Sequence, residues 1–121
     1  MDYINKEDIR SLLNEGCESR QLLNDENSES RRVTITEVHL KPGYSQPRHI
    51  HDTSEQIWYA LKGTGLLLLA DNNEKKFSAG DVVRFSSGEV HGLLNDSDEE
   101  FVYISVTTPP INFRYAYKEE K

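Results

Sequence analysis

The sequence predicts an all-β fold, a sandwich or barrel built from short strands. Short apolar runs recur at close intervals from Val33 to Thr107. They are separated by Gly and Asn/Asp clusters such as Lys62-Gly63-Thr64-Gly65, Asp71-Asn72-Asn73 and Ser86-Ser87-Gly88. Helical periodicity shows only weakly, and only near the N-terminus.

That weak signal is Ile4, Ile9, Leu12 and Leu13, set among charged residues, and it predicts a short helical segment over 2–16 ended by Gly16. Arg20 to Leu23 reads as a short strand, and the polar stretch 24–32 as a loop. From Val33 to Lys41 the chain alternates as a strand does. Its apolar parity changes between Ile35 and Val38, which predicts a bulge near Glu37, because one extra residue swaps the two faces. Pro42-Gly43 ends that strand. Ile57 to Leu61 is an aromatic and aliphatic run of the buried-strand kind. The run Leu66 to Ala70 is too short for a good helix, and the Asp-Asn-Asn after it suits a tight hairpin. Further strands follow at Asp81–Phe85, His91–Asn95 and Phe101–Thr107, and Pro109-Pro110 stops the last.

The chemistry concentrates between Gly43 and Gly63. His49 and His51 are one residue apart, so in an extended strand both imidazoles face the same way and can reach one point. Two imidazoles on one face make half of a site for a divalent metal. Glu55 and Gln56 follow after a short turn, and His91 comes just beyond the Gly88 turn. His39 sits inside the preceding strand and reads as a structural or surface histidine.

At these residues the chain resembles the cupins. Their first motif runs Gly, five residues, His-x-His, three or four residues, Glu, six residues, Gly; Gly43, His49, His51 and Gly63 match it. Their second runs Gly, five residues, Pro-x-Gly, two residues, His, three residues, Asn; Gly80, Gly88, His91 and Asn95 match, with Ser86 at the proline position. The resemblance implies one cupin domain over 1–121, an antiparallel jelly-roll barrel with its core at about 31–108. It also implies one divalent metal ion held by His49, His51, His91 and a fourth ligand. Spacing to Gly63 places Gln56 where cupins most often carry glutamate, and the variable gap after His51 leaves Glu55 as the alternative. Strand parity separates the two: with Gln56 inward, Trp58 and Ala60 face in, and Glu55, Ile57, Tyr59 and Leu61 face out. The ligand set admits Zn, Ni, Mn, Fe and Cu alike. Trp58 and Tyr59 read as core and interface, Asn95 as a support of its turn, and Arg48 and Arg84 as pointing away from the ligands.

A neutral amide in place of a carboxylate leaves a divalent ion more of its charge, which favours Lewis acidity and an anionic ligand. The His-x-His, Gln, His set is similar to that of cupins that open the ring of unsaturated uronates, although TTPPINFRYAY does not clearly reproduce that group's substrate-contacting pattern. The expected function is metal-dependent chemistry on a small polar metabolite, a sugar acid or related carbohydrate, by isomerisation, ring opening or elimination. The alternatives are a non-catalytic metabolite-binding cupin and an Fe(II) dioxygenase on the same ligands. No residue is assigned a catalytic role.

The charge balance agrees with such a ligand rather than a polyanion. With 21 acidic against 14 basic residues and a net charge of −7, the chain offers no basic surface for nucleic acid or anionic membranes. Cys17 is alone and reads as an ordinary reduced thiol. The N-terminus lacks the pattern of a signal peptide, and no run approaches the roughly 20 apolar residues of a membrane span, so a cytoplasmic location is expected. The outward row Ile57, Tyr59, Leu61 needs cover and predicts a homodimer, with Leu22 and Leu23 supplying part of the covering surface.

Overall fold

Three neighbouring strands show how alternation builds the barrel. In the computed structural model, which describes residues 1–121, β3 (Thr34–Leu40) buries Thr34, Thr36, Val38 and Leu40, and its other residues are half-exposed. Its partner β10 (Phe101–Thr108) turns Phe101, Tyr103, Ser105 and Thr107 inward, directly opposite Leu40, Val38, Thr36 and Thr34. On the other side of β10, β5 (Glu55–Lys62) sets Ala60, Trp58 and Gln56 opposite Tyr103, Ser105 and Thr107. Each inward row therefore runs from apolar to polar along its strand. One end of the barrel is a hydrophobic floor; the other is a hydrogen-bonding chamber.

These strands belong to a seven-stranded antiparallel sheet that also holds β1 (Arg10–Asn14), β2 (Cys17–Leu23), β8 (Val82–Phe85) and β11 (Glu119–Glu120), in the order β11-β1-β2-β3-β10-β5-β8. A second sheet of four strands, β4 (Ser45–His49), β9 (His91–Leu94), β6 (Thr64–Leu68) and β7 (Glu74–Ser78), completes an antiparallel jelly roll. Phe77, Leu67 and Leu93 of the second sheet pack with Phe101 and Leu40 of the first in one buried cluster. Aromatic contacts lead from this floor toward the chamber: Phe101 to Tyr103 with ring centroids 6.1 Å apart, Tyr103 to Trp58 at 4.5 Å, and Trp58 to Phe85 at 5.0 Å. Asn95, fully buried, donates to the Leu40 and Glu99 carbonyls and ties the end of β9 to its turn. The left-handed φ of 59° at both Asp71 and Asn72 makes the tight connection from β6 to β7.

Three sequence expectations are corrected. Residues 2–16 hold a short 3₁₀ turn at Lys6–Asp8 and then β1, not a helix. Gly16, at φ 74°, makes the hairpin turn into β2 instead of ending a helix. The predicted bulge near Glu37 is absent: β3 pairs with β10 without a break, and the register shift lies in β2, between Gln21 and Leu23. The parity change came from the inward threonines at 34 and 36, which line the polar end. The N-terminal strands, with Leu22 and Leu23 half-buried, pair within their own sheet beside β3.

Candidate metal centre

His49 ends β4, His51 follows it in the turn, and His91 opens β9. Pairing of β4 with β9 sets His49 directly opposite His91. Close contact between these strands depends on Gly92. A Cβ there would stand 2.7 Å from the Gln46 carbonyl oxygen and 3.0 Å from the Arg48 nitrogen, so only glycine admits the irregular β4 backbone between Gln46 and His49. One ligand atom from each of the three imidazoles lies within 4.8 Å of the others, and the three can hold an ion.

The protons on these rings are fixed by their partners. His49 Nδ1 is 2.7 Å from the Pro47 carbonyl oxygen, and His91 Nδ1 is 2.9 Å from that of Glu89. A carbonyl only accepts, so each Nδ1 carries the hydrogen and donates it, which leaves Nε2 as the nitrogen that can bind an ion. His51 Nε2 is buried without any partner, an arrangement that normally costs stability. Burial, with a smaller contribution from neighbouring His49, lowers the pKa of His51. Burial first, then the other two imidazoles, takes His91 down to about 4 despite its bond to the Glu89 carbonyl. Both rings are therefore uncharged near neutrality, as metal ligands must be.

Gln56 is 4% exposed and faces the same point. The Trp58 indole N–H, which can only donate, is 3.0 Å from Gln56 Oε1, and Gln56 Nε2 donates to Thr107 Oγ1 at 3.0 Å. This pair of contacts orients the amide with its oxygen 3.2 Å from His91 Nε2. Two acceptor atoms then confront each other, an unfavourable contact that a cation beside them would relieve. The donor set fits a divalent ion. Glu55 lies on the other face of β5, where its Oε2 accepts from Arg84 Nε and Nη2 at 3.0 and 2.8 Å. Arg48 also points away, donating from Nε to the Leu69 carbonyl at 2.8 Å.

The cluster opens onto a cavity of about 360 Å³ that runs down the chamber toward Tyr103. Ser105 and Trp58 form its walls, and the C-terminal 3₁₀ turn Phe113–Ala116 crosses its mouth, with the Phe113 and His51 ring centroids 5.9 Å apart. At the inner end the Tyr103 hydroxyl donates to Gln46 Oε1, and the Tyr117 hydroxyl lies 3.9 Å from Cys17 Sγ. Burial raises the pKa of both phenols and pushes the Cys17 thiol up to about 11, so all three stay protonated. Sequence reasoning singled out none of Ser105, Tyr103, Phe113 and Tyr117. Counting by twos inward from Thr107 would have found Ser105 and Tyr103; no short-range pattern marks the other two.

His39 lies outside the cluster, on the outer face of β3. Its ring nitrogens are 2.7 Å from Glu37 Oε1 and 3.1 Å from Glu100 Oε1, and Arg20 Nη1 donates to Glu37 at 2.9 Å. Burial pulls the His39 pKa down, but hydrogen bonds to the two carboxylates outweigh it and the net shift is upward. Burial likewise raises Glu37, and its bonds to His39 and Arg20 outweigh that and lower it. A raised histidine pKa adds stability below the unfolded value of about 6.5, and this is lost as pH rises through the folded value. Lowered Glu37 adds stability above its unfolded value, lost as pH falls through the folded one. The network is thus strongest between about pH 5 and 6.5. His39→Ala is expected to lower the melting temperature more at pH 5.5 than at pH 8.5; equal losses at both would refute the pairing.

A family model described as a cupin domain matches residues 36–107. An oxalate-binding protein of Thermotoga maritima is 30% identical over 90 residues, 74% of this chain and 73% of that protein. Among solved structures, KdgF from Halomonas sp. superposes with a TM-score of 0.76 at 18% identity, covering 92% of this chain and 96% of that one. A sugar phosphate isomerase from Silicibacter pomeroyi gives 0.73 at 21% identity, covering 88% and 74%. At such identities the two structures speak for the fold alone.

Proposed function

The chain belongs to the cupin domain family, and on that premise we propose that it is a metal-dependent member acting on a small polar metabolite, a sugar acid or related carbohydrate. The observation that carries this reading is the set of imidazole lone pairs turned onto the opening of a hydrogen-bonding cavity. His49, His51 and His91 would hold one divalent ion, with Gln56 Oε1 as the fourth protein ligand. Such an ion would supply Lewis acidity toward a carbonyl, carboxyl or hydroxyl oxygen, the chemistry of isomerisation, ring opening or elimination. Around it the chain's own groups do three things. Pro47 and Glu89 carbonyls hold the tautomers, Trp58 and Thr107 hold the Gln56 amide, and Phe113 restricts water at the mouth.

One observation favours a second reading, a binding module. The only carboxylate lining the cavity is Glu15, exposed at the β1–β2 turn, and the phenols and thiol of the inner chamber stay protonated, so no carboxylate or phenolate base lies deep in the chamber. NMR of the zinc-, nickel- or manganese-loaded protein with saturated and unsaturated uronates separates the two. Product formed above the metal-free background supports the enzyme, saturable binding without turnover supports the module, and neither would overturn both.

The outer face of β5 and β8 bears on assembly. Tyr59 is 45% exposed, Leu61 44% and Val82 63%, and β8 is the edge strand of its sheet. Two-fold association of this apolar face would cover identical patches at once. Light scattering at low micromolar concentration is expected to give the mass of two chains, and Leu61→Asp to shift it toward one. A single-chain mass for the unaltered protein would refute the homodimer.

A further inference from the structure

The cavity is unusual in its charge. None of the residues lining it is Lys or Arg, and the only carboxylate among them is Glu15, exposed at the β1–β2 turn, where the Tyr44 hydroxyl donates to it at 3.2 Å. The cations nearest in sequence to the ligands are committed elsewhere, Arg48 to a backbone carbonyl and Arg84 to Glu55. The metal-facing donors are three imidazoles and an amide, none of which carries negative charge, so they give a divalent ion no counter-charge. An anionic group on the ligand is the natural partner there. Anywhere else in the chamber an anion would lose its hydration and meet only neutral dipoles and Glu15.

A second observation says what the rest of the ligand carries. Ser105 is among the residues that line the cavity, and its buried Oγ has no hydrogen-bond partner. It lies one inward step along β10 from Thr107, the residue that fixes Gln56, and directly opposite both Thr36 and Trp58. That step is about 7 Å, two residues of strand. A molecule with one end at the histidines therefore reaches Ser105 with a group a short carbon chain away. A buried hydroxyl left unpaired is costly, and a ligand hydroxyl would satisfy it.

Resting on the preceding reading of a metal held by the three histidines, we propose that the cavity selects small hydroxylated monocarboxylates. The single charge sits at the histidine cluster and a hydroxyl is read by Ser105. Phosphorylated sugars, and dicarboxylates too long for both carboxylates to share the one ion, are excluded because their second anion finds no cation.

Calorimetry on zinc-loaded protein tests this with galacturonate, glucuronate and gluconate as monocarboxylates, galactarate as the dicarboxylate, galactose 6-phosphate and neutral galactose. At least one monocarboxylate is expected to bind tenfold or more tighter than galactarate, the phosphate and galactose. Ser105→Ala should weaken it about fivefold at unchanged zinc content, and Glu15→Lys should narrow the gap between mono- and dianions. Equal or tighter binding of the dianions, no binding of any monocarboxylate, or an unchanged affinity in Ser105→Ala would each overturn the proposal. Zinc content separates the failures: protein that cannot retain zinc sinks the metal reading and this one with it, whereas full zinc with any of those results sinks this one alone.

Discussion

Replacing His49 and His91 together by Ala is expected to abolish stoichiometric metal binding. His51 and the Gln56 oxygen would remain, one imidazole and one weak oxygen donor, with both of the rings that face each other across β4 and β9 gone. The fold should survive the change. The floor cluster of Phe77, Phe101, Leu40, Leu67 and Leu93 lies at the other end of the barrel, and the inward strand rows do not pass through either side chain. A metal present at a thousand times its dissociation constant stabilises the native state by about 4 kcal/mol, a rise on the order of 10 °C or more in a chain of this length. Unaltered protein should show that rise and the double variant none, with metal analysis giving one equivalent and about zero. A full equivalent retained by the double variant would refute the centre.

Much of this centre is legible from spacing, because a strand repeats every two residues. The inward parity of Gln56, Trp58 and Ala60 against outward Glu55 follows from that period and is what β5 shows; His49 and His51 do meet, with ring centroids 4.9 Å apart, although only His49 lies in a strand. Elsewhere the same rule misleads when apolar is equated with inward. Thr34 and Thr36 are buried because the barrel is polar at that end, so the apolar residues of β3 suggested a bulge that is not there. Leu12 and Leu13 fit a loose helical spacing, yet the pairing of β1 with both β2 and β11, which leaves Leu12 buried, decides for a strand. Gly92 carries no signal at all in sequence. Its role is set by how closely the β4 backbone approaches, and that depends on residues more than forty positions away. The C-terminal turn over the cavity is likewise set by contacts between Phe113 and His51 and between Asn14 and the Ala116 carbonyl, across most of the chain.

Gln56→Glu is expected to keep the metal and to change what the site accepts. Without metal, a carboxylate at this place would be buried beside His91 with the Trp58 N–H and the Thr107 hydroxyl as its donors. The metal-free variant should lose about 1–3 kcal/mol of stability, the cost of an ill-paired buried polar group. Metal would then recover more than it does in the unaltered protein, because opposite charges a few ångströms apart at the effective dielectric of a protein attract by about 4 kcal/mol. The same added charge opposes an anionic ligand, so carboxylate affinity should fall at least about tenfold. Glu55→Ala supplies the contrast. It removes an outward ion pair with Arg84, half-exposed and worth about 0–1 kcal/mol, and should leave metal and ligand affinity unchanged. Thermal shift with and without metal, and calorimetry with a uronate, read both variants. Loss of metal in Glu55→Ala, with Gln56→Glu and Gln56→Ala both behaving as the unaltered protein, would show that the outward carboxylate turns in and is the fourth ligand.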